Sequence, residues 1–250
     1  MMKSNKTGGI EMKNRIADIS LRKAAIVAGL GLLFMMLFAV FANFYVFPKL
    51  IVLGDAAATA NNIVASEGLF RAGIFSFIIV AILDLVVALA LYVLLKPVHK
   101  SLSLLAALFR LVYATIFGVA LTNYFNALLL LSGADYLAGF ETAQLQAQVM
   151  LFLNAFSDGW NIGYVFFGLH LFFLGYLVFK SSRVLFKSVN IPRILGVLLI
   201  IASLGYLVDS IGKILLPSYD LDIALYTFIG EFLFMLWLLI KGWKVPETES

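Results

Sequence analysis

Long apolar runs alternate with short polar segments along this chain, and that pattern governs the rest of the reading. A helix needs about 20 apolar residues to cross a hydrocarbon core about 30 Å thick. On that measure the runs predict spans over Ala24 to Val46, Ala72 to Leu95, Ser101 to Asn123, Trp160 to Phe179, Ile194 to Gly212 and Ile223 to Ile240. Backbone groups find no water in a bilayer, so each span is expected to be helical. The predicted fold class is all-α: a polytopic bundle of six transmembrane helices over residues 24–240, with an N-terminal tail 1–23 and a C-terminal tail 241–250.

Composition supports the membrane class. The 250 residues are 63% hydrophobic and 13% charged, against about 45–50% and about 25% in soluble domains. The net charge of +4 does not suggest nucleic acid, because the basic residues cluster at span ends instead of covering one face. Lys3, Lys6, Lys13, Arg15, Arg22, Lys23, Lys96, Lys100, Lys180, Arg183, Lys187, Arg193, Lys241 and Lys244 fall on one side, and only Lys49, Arg71 and Lys213 on the other. Since basic residues concentrate in cytoplasmic segments, both termini are expected inside. Aromatic residues at span ends agree with interface anchoring: Phe44, Tyr45, Phe47, Trp160, Tyr164, Tyr219 and Tyr226 outside, and Tyr92, Tyr176 and Trp243 inside. The first run follows 23 mostly polar residues and has no small-residue cleavage site, so it is expected to be a retained span.

Two outer segments exceed a hairpin's needs. Leu50 to Arg71, with GDAAATANN at its centre, is expected to be partly irregular. Within Ser132 to Gly159, the alternation of Glu141, Gln144 and Gln148 with Leu145, Val149, Phe152 and Phe156 predicts an amphipathic helix over 140–157. It would lie at the surface or lead into the fourth span, as a packing element or as a lid. Tyr92 with Lys96 and Tyr176 with Lys180 hint at an internal repeat, which convergent interface anchoring explains equally well.

The candidate chemistry is a set of polar side chains inside the spans. An ionised group at mid-bilayer costs roughly 2.5–3.5 kcal/mol on insertion scales, so such groups turn inward and pair. At about 1.5 Å per residue, Asp84, Arg110, His170 and Glu231 fall in one slab near the midplane. Asp84 shares a face with Ala81 and Ala88, and Arg110 with Ser103, Ala107 and Ala114, small residues that permit close helix approach. Asp84 is the expected partner of Arg110, because the short KPVHK loop makes the second and third spans antiparallel neighbours. Asp209 lies nearer the outer face and is expected to be solvated or paired with Lys213. The cluster has two readings. It is a structural lock between helices, or it is a site for a small polar or anionic ligand with proton coupling through His170 and Glu231.

Other chemistry lacks its residues. There is no cysteine, which excludes disulfides, thiolate metal sites and cysteine nucleophiles. The sequence has no HExxH, GxSxG, P-loop or GxGxxG pattern, and only His99 and His170 as histidines. No cofactor or metal is therefore expected, and the expected surroundings are the lipid bilayer. Pro48, Pro97, Pro192, Pro217 and Pro246 all lie at span ends or beyond, and no span looks interrupted in its middle, which favours a static bundle over a carrier.

Three stretches carry a family resemblance: LALYVLLKPVHKSLSLLAALFRLVYA (89–114), VFFGLHLFFLGYLVFKS (165–181) and IPRILGVLLIIASLGYLVDS (191–210). They resemble a bacterial membrane family catalogued as domain of unknown function 4386. The arginine of the third span, the GLH of the fourth and the IPRILG that opens the fifth are the more specific parts. The resemblance implies a multi-pass protein of the bacterial cytoplasmic membrane, with no activity or functional residue attached.

Overall fold

The computed structural model describes residues 19–184, 191–245 and 247. Among them are six helical segments long and apolar enough to cross a membrane: Leu21–Leu50, Glu67–Leu95, Lys100–Leu130, the stretch beginning at Thr142, Arg193–Leu215 and Ile223–Lys244. The basic residues counted at positions 3, 6, 13, 15 and 187, and Pro246, lie outside the described residues. Consecutive spans pack side by side, and the sixth returns to pack on the first, so the bundle closes into a ring. Apolar side chains such as Leu85, Leu89, Val119, Leu129, Leu204 and Ile211 point outward, while Ser76, Ser103, Ser181 and Ser203 are buried. That distribution suits a lipid solvent: the outer face needs no polar groups, and the inside can hold them if they are paired.

The first five spans outrun their predicted limits, because helix length here is not set by hydrocarbon thickness. The predicted amphipathic helix and the fourth span are one continuous helix, Thr142–Val184, of 43 residues. At about 1.5 Å per residue it is about 65 Å long, twice a bilayer core. It rises beyond the others at the end of the bundle opposite Lys96 and Lys100, here termed the cap end. Short helix Ala56–Ala65 packs against it there, burying Ile63 near Val149 and Leu153. The expected partial irregularity falls at 51–55 and at Ser66, while 56–65 is helical: Gly54 turns at φ 78°, and Asp55 caps the helix by accepting from Ala58 N at 2.8 Å. The capping signal outweighs the Asn residues.

Two spans depart from regular α-helix. Phe41–Val46 in the first is π-helical and runs into Pro48. The sixth is interrupted by a turn at Phe228 between Ile223–Thr227 and Ile229–Lys241, contrary to the expectation of unbroken spans. Thr227 Oγ1 donates back to the carbonyl of Ile223 at 3.1 Å, and hydroxyl back-bonding of this kind bends helices. Three of the expected interface aromatics sit elsewhere: Phe47 is buried, and Trp160 and Tyr164 pack against the core, while Phe44, Tyr45, Tyr226 and Trp243 face outward.

Close helix contacts rest on glycine. A Cβ on Gly196 would lie 2.5 Å from Phe179 N and 2.6 Å from Gly175 O, so the fourth and fifth spans meet backbone to backbone. Nearby, Ser203 Oγ donates to Gly168 O at 2.8 Å across the same seam. The ring closes where Gly29 of the first span meets Leu238 of the sixth.

Candidate functional site

Arg110 occupies the tenth step of the third span after Lys100, about 15 Å from its basic end. It is 2% exposed, and Asp84 and His170 are 0% exposed. Its Nη2 lies 2.7 Å from Asp84 Oδ1, and its Nη1 lies 3.1 Å from His170 Nε2. His170 Nδ1 is 2.8 Å from the Ala106 carbonyl. A carbonyl can only accept, so His170 carries its proton on Nδ1 and takes a hydrogen bond from Arg110 on Nε2. The guanidinium also donates to Met35 Sδ at 3.5 Å and stacks 5.5 Å from the Phe167 ring centre. One arginine on the third span thus touches the first, second and fourth.

Glu231 stands in the first turn of Ile229–Lys241, just past the Phe228 turn. It interacts with the Arg110 charge and with the Tyr206 hydroxyl. The structure therefore brings Asp84, Arg110, His170 and Glu231 into one cluster that spans the ring. Satisfaction within it is incomplete. The short Arg110–Asp84 contact is not aligned along an N–H, and neither Asp84 oxygen, nor Arg110 Nε, nor Glu231 Oε1 has a hydrogen-bond partner.

Sequence reasoning missed the aromatic half of this region. Tyr113 accepts from Trp160 Nε1 at 3.1 Å and stacks on Tyr164 with ring centres 6.0 Å apart; Tyr164 lies 5.1 Å from Tyr206. Tyr113 does share helical spacing with Arg110, and Trp160 with Tyr164, but a tyrosine in an apolar run reads equally as an interface anchor. Met35 offered no signal at all.

Asp209 belongs elsewhere. It is buried and turned to the loop that precedes the sixth span, where Oδ1 accepts from Tyr219 Oη and Oδ2 from Ala224 N, both at 2.7 Å. This corrects the expected solvation or pairing with Lys213, which instead bridges to Asp222 at 2.9 Å. Asp209 thereby caps the short helix Ile223–Thr227 from another span, satisfying an N–H its own residues leave free. The hydrogen bond that Tyr219 donates to Asp209 pushes its hydroxyl from 10.0 up to about 12. A raised value means the contact is complete below the ordinary tyrosine range and is lost as pH climbs through the folded value. Absorbance titration of Asp209→Asn should therefore show one tyrosine moved back toward 10 relative to the parent; coinciding curves for parent and variant would refute the latch.

Space around the cluster is scarce. The cavity beside His170, bounded by Ala88, Ser103, Ala106 and Leu174, is about 10 Å³, room for at most about one water. A groove of about 200 Å³ lies at the cap end, between Ile63, Glu67, Arg71, Leu128 and Ser132. His99, the other histidine, caps the third span by accepting from Leu102 N and takes no part in the cluster.

An uncharacterized protein of the archaeon Archaeoglobus fulgidus is 40% identical over 178 residues, covering 71% of this chain and 86% of the relative. No solved structure matches. A family profile described as Domain of unknown function (DUF4386) matches residues 27–242, which reaches into all six spans and includes every member of the Arg110 cluster, and the chain belongs to that family.

Proposed function

We propose that this chain is a non-enzymatic membrane protein with a binding, sensing or scaffold role, in which the Arg110 cluster locks the helices of the ring together. The observation that carries this reading is the closure of the cluster: Arg110, Asp84 and His170 are buried and the adjoining cavity is about 10 Å³. Ligand sites are usually clefts of about 300–1,000 Å³. A scaffold also agrees with the backbone contacts between the fourth and fifth spans, which leave little freedom for rocking. The concentration of basic residues at one end supports a cytoplasmic-membrane protein with both termini inside.

The second reading, a small carrier or receptor for a polar or anionic solute, is favoured by the turn at Phe228. Interrupted helices often mark substrate sites in transporters, and Glu231 follows this one directly. Native mass spectrometry of the purified protein separates the two. The scaffold reading expects no small polar species that is present on the parent and missing from Arg110→Leu. A metabolite lost specifically in that variant would establish the second reading.

A further inference from the structure

Asp84 and Glu231 both interact with Arg110, and no second cation joins them among the described residues of the cluster. His170 offers no compensating charge, because its Nε2 must accept from the guanidinium. With both carboxyls ionised the cluster would carry one uncompensated negative charge inside a hydrocarbon slab. Desolvation makes such a charge far costlier than a neutral acid. The unpartnered atoms point the same way. Asp84 Oδ2 and Glu231 Oε1 are buried oxygens without a hydrogen-bond partner, and a proton on either carboxyl supplies a donor to the cluster.

We propose that Asp84 and Glu231 form a proton-binding site, the pair sharing one proton while Arg110 compensates whichever carboxyl is ionised. In the arrangement seen, Arg110 sits on Asp84 at 2.7 Å, which leaves the proton to Glu231. Two features keep that assignment reversible. Glu231 occupies a first helical turn, where the helix dipole favours its ionised form. The Arg110 Nε donor is also uncommitted and available to a second carboxylate. Transfer needs no co-reactant: a proton from water adds to one carboxylate oxygen, and the same proton returns to water when the site empties.

Every element packed on the site contributes. The second span brings Asp84, the third Arg110 and Tyr113, the fourth Tyr164 and His170, the fifth Tyr206, the sixth Glu231, and the first Met35. Tyr113 and Tyr164 lie within electrostatic reach of Asp84, and Tyr164 and Tyr206 within reach of Glu231. The ring centres of Tyr113 and Tyr164 are 6.0 Å apart and those of Tyr164 and Tyr206 5.1 Å, so three hydroxyl-bearing rings pack together in this region. The proton-binding site goes beyond the scaffold reading and stands or falls separately from it, since a lock can hold with or without a shared proton.

Infrared spectroscopy of the purified protein in detergent, exchanged between H₂O and D₂O near neutral pH, tests the site. Surface carboxylates are ionised there and give no acid band. The parent should show a D₂O-sensitive carboxylic acid C=O band equivalent to one group per chain. Sharing predicts that the band vanishes in Glu231→Gln and in Asp84→Asn alike, because the remaining carboxyl then has Arg110 to itself. Glu231→Gln is the decisive variant, since an amide keeps the shape of the carboxyl and leaves the 2.7 Å Arg110–Asp84 pair in place. No band in the parent, or a band retained in Glu231→Gln or in a folded Asp84→Asn, overturns the proposal.

Discussion

Replacing Arg110 by leucine should cost the protein about 3–5 kcal/mol, the usual loss when one partner of a buried ion pair is removed and the other stays. Asp84 would then remain 0% exposed with no cation at 2.7 Å. Replacing both Asp84 and Arg110 by leucine removes the stranded charge with its partner and should recover most of that loss. Recovery will be incomplete, because His170 Nε2 loses its donor, and a buried unpaired acceptor costs about 1–3 kcal/mol. Unfolding in mixed detergent, followed by fluorescence in a background with Trp237 and Trp243 changed to phenylalanine, gives the comparison, since the remaining Trp160 is bonded to Tyr113 one turn from Arg110. A single variant as stable as the parent would show that the pair does not hold the ring.

The second large effect is expected at Gly196. Changing it to alanine places a methyl 2.5 Å from Phe179 N and 2.6 Å from Gly175 O. Backbone atoms cannot rotate away as a side chain can, so the fourth and fifth spans must separate. Overpacking of this kind costs about 1–3 kcal/mol or more, and Gly196→Leu should prevent assembly of the bundle. Gly118 supplies the control. It is also helical, but a Cβ there meets nothing within 4 Å, so Gly118→Ala should be neutral or stabilising by about 0.5–1 kcal/mol through backbone entropy. Equal effects at the two positions, measured by thermal unfolding, would remove the close seam from the account.

The contrast between these glycines also shows what the sequence could reveal. The six spans were legible because a run of apolar residues has few other uses. Asp84, Arg110, His170 and Glu231 were legible as a set because charged residues are conspicuous in such runs, and the KPVHK loop even selected Asp84 for Arg110. Rotation about each helix axis was not legible. Nothing in the sequence distinguishes Gly196, pressed against backbone, from Gly118, which faces open space, or turns Met35 toward a guanidinium. Loops were read least well. Depth placed Asp209 near a surface, but only the path of residues 216–224 brings Tyr219 and Ala224 onto it. The turn at Phe228 has no proline to announce it, only Thr227 bonding back to its own helix. The end of the third span was misjudged, since it runs to Leu130 and a polar residue such as Asn123 ends a hydrophobic run without ending a helix, whereas the amphipathic helix expected over 140–157 does lead into the fourth span.

The long helix Thr142–Val184 has a mechanical consequence. It carries Val149 and Leu153 in the cap and His170 in the cluster, without a break between them. From Val149 to His170 is about 32 Å at about 1.5 Å per residue. A helix without a joint bends only gently, so this one behaves as a lever arm. One stiff element thus carries both the cap contacts and the imidazole that braces Arg110.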